Sequence, residues 1–147
     1  MSTMTEPKAG HQSGAQANRL RMASFGALTM LILQFVLGTA YNLYGTAPAA
    51  GKAIGMFSSP LLAIHVIVGI LIVLAAIMLV VRAVQAKIRP VLATSVVGLL
   101  AVLGAFGAGS AFTQQGANGA SLGMAIATAV AMLCYAAGLV ILGKPRL

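Results

Sequence analysis

An all-α, four-helix transmembrane bundle of up-down topology is the fold this sequence predicts, and three observations predict it. The first is composition. The 147 residues are 60% hydrophobic and only 7% charged, with a mean hydropathy of +1.00. A soluble domain carries roughly 25% charged residues. A chain this apolar cannot cover its surface with polar groups, which excludes a monomeric water-soluble globule. The second is spacing. Residues 22–51, 53–81 and 90–143 contain no charge. A helix needs about 20 apolar residues to cross the hydrocarbon, so the first two stretches each hold one span and the third holds two. The third is pattern. The apolar runs are continuous and rich in Ala, Leu and Met, without the period-2 alternation of barrel strands. In lipid a helix satisfies its own backbone, so helices follow.

The elements are read in chain order. Residues 1–21 read as a disordered cytoplasmic tail, because Met1–Asn18 is polar and rich in Gly, Ser, Gln and Thr. His11, within it, reads as a solvated side chain. The spans are placed at about 22–43, 61–81, 90–111 and 119–142. Ser59-Pro60 makes a good start for the second, with a hydroxyl at the N-cap and proline at N1. Pro90 starts the third in the same way. The stretch Gln114–Gly119 contains Asn118-Gly119 and reads as the turn between the third and fourth spans. Residues 143–147 form a second short tail.

Charge gives the orientation. The chain has nine Lys and Arg, one acid (Glu6) and a net charge of +8. On a soluble protein that balance would suggest nucleic acid. Laid along four spans it becomes a topology signal. Lys8, Arg19, Arg21, Arg82, Lys87, Arg89, Lys144 and Arg146 fall on one side, and only Lys52 on the other. By the positive-inside rule both termini are cytoplasmic (N-in, C-in) and no nucleic-acid partner is implied. A competing reading makes the first span a signal peptide, with Ala47–Ala50 as a cleavage region. Its apolar stretch exceeds the usual h-region of about 7–15 residues.

Small residues at four-residue spacing predict close helix contacts. Ala101, Ala105 and Gly109 are expected to face Gly123, Ala127 and Ala131. His65, Gly69 and Ala76 form a row on the second span, and Gln34, Gly38, Tyr41 and Asn42 on the first.

The inventory for chemistry is short. No acid lies in a span, which disfavours ion-coupled transport. No catalytic residues and no metal site are expected. Cys134 is the only cysteine and reads as an inert apolar side chain. His65 is the one ionisable group in the membrane interior, about a turn below the outer end of its helix. It reads as a neutral imidazole bonded across helices to Gln34, Tyr41 or Ser110, as an axial haem ligand, or as a contact for some other ligand. Met124 lies at nearly the same depth and would complete a His/Met pair. Gln34, Tyr41, Asn42 and Ser110 gather in the outer half and suggest an outward-opening polar pocket. Tyr135, in the inner half, needs a partner for its hydroxyl.

Leu33–Gly38 with Asn42-Leu43-Tyr44, and Leu61–His65 with Gly69 and Leu71, resemble a family of small four-span bacterial integral membrane proteins of uncharacterised role. More distantly the layout is similar to one half of haem A synthase and to cytochrome b561-like bundles. Those hold haem between histidines on different helices, and this chain matches them at His65 alone. The resemblance implies a multi-pass protein of the bacterial cytoplasmic membrane. The function expected is that of an accessory or assembly component without a catalytic site. Its partners would be the bilayer and other membrane subunits. A haem-binding protein using His65 is the alternative. A small-solute carrier or channel subunit is a third reading, weakened because nothing charged lines a path.

Overall fold

The computed structural model describes residues 9–46, 48–116 and 119–143, with side chains from residue 14 onward. Four helices make up the fold: α1 (Ala9–Tyr44), α2 (Pro60–Ala86), α3 (Arg89–Gln115) and α4 (Ala120–Gly143). There is no strand among the described residues. All four helices are long and apolar enough to cross a membrane. Each packs on its neighbours in a ring, α1 on α2, α2 on α3, α3 on α4 and α4 back on α1. Short links between successive helices make them antiparallel. We call the end that holds Arg19, Arg21, Arg82, Lys87 and Arg89 the inner end.

The helix ends follow local chemistry. Ser59 caps α2, its hydroxyl accepting from the Leu62 N–H at 3.2 Å, and Pro60 sits in the first turn. At the other end Lys87 adopts a left-handed conformation (φ 54°) and its N–H closes on the Val84 carbonyl at 3.1 Å. The chain reverses there within Lys87 and Ile88, which fixes α2 and α3 as neighbours. Gly116 ends α3 with φ 59°, a conformation glycine adopts at no steric cost. A Cβ there would lie 2.5 Å from the Ala49 carbonyl oxygen. Ala117 and Asn118, part of the predicted turn, lie outside the described residues.

α1 corrects the expected tail. It begins at Ala9, so residues 9–18 are helical where their composition predicted disorder. Its 36 residues span about 54 Å at 1.5 Å per residue, well beyond the ~30 Å of hydrocarbon. Once a membrane span has nucleated a helix, extension needs only one bond per residue fixed. Residues 1–8 lie outside the description, as does the side chain of His11.

The segment between α1 and α2 folds over the outer end of the bundle. Gly51 N–H donates to the Gln115 carbonyl at 2.9 Å and Ile54 N–H to the Thr113 carbonyl at 2.8 Å. Carbonyls in the last turn of a helix have no intrahelical donor, so this segment supplies what α3 lacks. Tyr41 braces it from below, donating its hydroxyl to the Thr46 carbonyl at 3.0 Å. The Tyr41 ring meets Phe112 edge-on with centroids 6.5 Å apart.

The α3–α4 seam differs in part from the expected rows. Gly109 does lie under Met124, and Ala131 is fully buried. Gly123 also faces α3, a Cβ there lying 3.8 Å from Ala108 Cβ, but it is exposed, and the buried stripe of α4 is Thr128, Ala131, Tyr135 and Gly138. The Tyr135 ring packs against Gly98, where a Cβ would come within 2.5 Å of the ring. The hydroxyl finds no partner, contrary to expectation. The innermost stripe of a four-helix ring faces the axis, whereas small-residue spacing marks only the seam beside it.

Candidate functional site

Where α1 meets α2, two polar side chains and two glycines interlock. The Gln34 side-chain nitrogen lies 2.9 Å from the His65 backbone carbonyl and 3.1 Å from His65 Nε2. Among the described residues this is the one side-chain bond that passes from helix to helix. It is possible because each helix has a glycine under the other's side chain. A Cβ on Gly69 would sit 3.1 Å from Gln34 Nε2, and a Cβ on Gly38 would sit 3.1 Å from His65 Cε1. The two predicted rows therefore meet. Of the three partners considered for His65, Gln34 is the one it has. Tyr41 turns to Thr46, and the Ser110 hydroxyl accepts from Gln114 at 3.3 Å.

The bond assigns its own protons. An atom 2.9 Å from a carbonyl oxygen must be a donor, so the amide nitrogen of Gln34 faces α2. One amide proton goes to the His65 carbonyl and the other to Nε2. Nε2 is then the acceptor and the imidazole proton sits on Nδ1. This leaves His65 Nδ1 and Gln34 Oε1 buried without partners.

Beside this clamp, in the outer half, is a cavity of about 140 Å³ to which all four helices contribute. Gln34, Tyr41, Asn42, His65, Ser110 and Met124 all line it. No Lys, Arg, Asp or Glu does. Phe35 and Phe106 belong to its wall and are also 44% and 46% exposed. Both sit well inside their spans. Hydroxyls in the wall are tied to their own helices, Thr39 to the Phe35 carbonyl at 2.9 Å and Thr128 to the Met124 carbonyl at 2.8 Å. The aromatic part of the wall (Phe35, Phe106, Phe112) escaped sequence reasoning. These helices are apolar all round, so periodicity does not say which face points inward.

The residues present do not fit haem. His65 Nε2 is engaged by Gln34, and the Nδ1–Cε1 edge is covered by α1 at Gly38. Met124 turns its sulfur toward Gly109, 3.7 Å from where a Cβ would be. A cavity of about 150 Å³ holds benzene, and a porphyrin is several times larger. Among the described residues no three His, Cys, Asp or Glu side chains come together. Cys134 is half-buried on α4 as a free thiol.

Compared with known proteins, the chain matches no family model, no curated protein and no solved structure. The arrangement must therefore be read on its own chemistry. It offers hydrogen bonding and apolar contact.

Proposed function

We propose that this chain is a non-catalytic accessory protein of the bacterial cytoplasmic membrane that takes a small lipid-soluble molecule into its outer cavity. The observation that carries the reading is the cavity itself. It lies between all four helices, and its lining is apolar apart from a few uncharged polar side chains, Gln34 and His65 among them. Ligand sites are typically apolar concavities with a few convergent polar groups, and this one has that make-up. The lack of charge in the wall favours a neutral occupant, because an unpaired ion is costly in hydrocarbon. The proposed orientation, both termini cytoplasmic, rests on the distribution of Lys and Arg. Membership of the small four-span bacterial family rests on the residues around Gln34 and His65.

The test is direct. The protein is extracted from its native membrane in mild detergent, washed, and its small molecules released into organic solvent for mass analysis. Wild type is expected to carry a compound that Ala105→Phe, which fills the cavity, does not. Equal yields from both would overturn the reading. A visible absorption spectrum of the same sample, grown with haem precursor, is expected to lack a Soret band. A band that disappears in His65→Ala would replace this reading with haem binding.

A further inference from the structure

At the inner end, α1 and α4 leave a groove between them, lined by Asn18, Arg21, Met22, Phe25 and Leu139. Four of these five residues lie on α1 at positions i, i+3, i+4 and i+7, which share one helix face. Met22 and Phe25 are 66% and 60% exposed, so the groove is open to the surroundings of the bundle. Its character changes along its length. Asn18 and Arg21 stand just before the first apolar stretch, and Met22, Phe25 and Leu139 carry the groove on toward the hydrocarbon. Polar at head-group level and apolar beneath is also the order of a phospholipid's own parts.

Charge selects among lipids. Nine Lys and Arg face a single acidic side chain in the whole sequence, so most of the positive charge must be neutralised from outside the protein. A zwitterionic lipid brings its own cation and relieves little of it, whereas an anionic lipid does not. Arginine at this level keeps its guanidinium among the head groups while its stem lies on apolar surface. Its planar fork of N–H donors matches two phosphate oxygens. The Asn18 amide, one turn away, adds a further donor. Basic pockets between spans at the cytoplasmic side suit anionic head groups for the same reasons. We infer that the α1–α4 groove is a binding site for an anionic phospholipid, with its phosphate on Arg21 and Asn18 and an acyl chain along Phe25 and Leu139. The site is separate from the outer cavity and does not depend on how that cavity is read.

The chain contains no tryptophan, so one introduced tryptophan reports its own surroundings. Phe25→Trp places it in the groove, one turn deeper than Arg21. Met78→Trp is the control. Met78 is also exposed and lies one turn deeper than Arg82 on α2, but it lines no part of the groove. Each full-chain variant is placed in phosphatidylcholine nanodiscs doped with phosphatidylglycerol or phosphatidylcholine brominated on one acyl chain, and quenching is followed against the brominated share. Brominated phosphatidylglycerol is expected to quench Phe25→Trp at about one tenth of the share that brominated phosphatidylcholine needs, the factor of one hydrogen bond to a charged group. Met78→Trp is expected to show less than about a twofold preference, because exposed charges are screened. Adding Arg21→Gln to Phe25→Trp should bring the two lipids together while both still quench. No preference at Phe25→Trp, or a preference that survives Arg21→Gln, would overturn the inference. Equal preference at both tryptophans would replace the site with a diffuse field around the basic end. A preference abolished by excess inorganic phosphate would assign the groove to a free anion in place of a lipid. The two single variants decide the matter even where the double variant fails to fold.

Discussion

In the inner half of the bundle Ser24, Leu79, Ala83, Val91, Ser95 and Tyr135 are each at most 2% exposed, and the helices touch through glycine and alanine. In the outer half the same four helices stand around a cavity of about 140 Å³ and are joined by one polar clamp. Both halves contain a buried polar group without a partner, but the settings differ. The Tyr135 hydroxyl is sealed in a close-packed seam. The Gln34 and His65 atoms are buried within a clamp whose side chains border a cavity. The contrast teaches that dense packing holds the fold at one end and leaves the other end free to bind. Without a hydrophobic driving force between helices in lipid, van der Waals fit must do the holding.

The comparison is broken most severely at Gly98. A valine there would drive a Cβ to within 2.5 Å of the Tyr135 ring. Overpacking of this kind costs about 3 kcal/mol, and thermal unfolding in detergent should show a large loss for Gly98→Val. A melting temperature near that of wild type would mean that the inner seam is not what holds the bundle. A smaller effect of opposite sign is expected for Tyr135→Phe. It removes an unpaired hydroxyl and keeps the ring on Gly98, so it should stabilise by about 1 kcal/mol. Destabilisation instead would reveal a partner for that hydroxyl. The smallest effect is expected in the outer half. Hydrogen bonds between membrane helices average about 0.6 kcal/mol, so Gln34→Leu should unfold within about 1 kcal/mol of wild type. A loss as large as that of Gly98→Val would make the clamp a structural device and not part of a site.

Much of this contrast was legible in the sequence, for stated physical reasons. The four spans could be read because lipid penalises every charge, so Lys52, Arg82 and Arg89 mark where spans stop. The Ser59 cap could be read because only a few residue types satisfy a helix start. Gln34 and His65 drew attention because polar groups in hydrocarbon need partners, and each proved to have the other. The helical stretch from Ala9 was hidden because local composition does not register a helix extended from the neighbouring span. The buried stripe of α4 was hidden because Ala, Leu and Met occupy all its faces. The glycines under Gln34 and His65 could be placed in rows, but which side chain each receives depends on the relative shift of α1 and α2. That shift is a tertiary property with no local signature in the sequence.

The most direct test of the central claim, that the outer half binds a lipid-soluble molecule, uses the methionines as reporters. Met56 and Met124 line the cavity, whereas Met30 and Met132 pack against the buried core outside its wall. With ¹³C-methyl-labelled protein in nanodiscs, hexylbenzene is predicted to shift Met56 and Met124 in a saturable way and to leave Met30 and Met132 in place. Shifts of all four in parallel, or of none, would contradict the account.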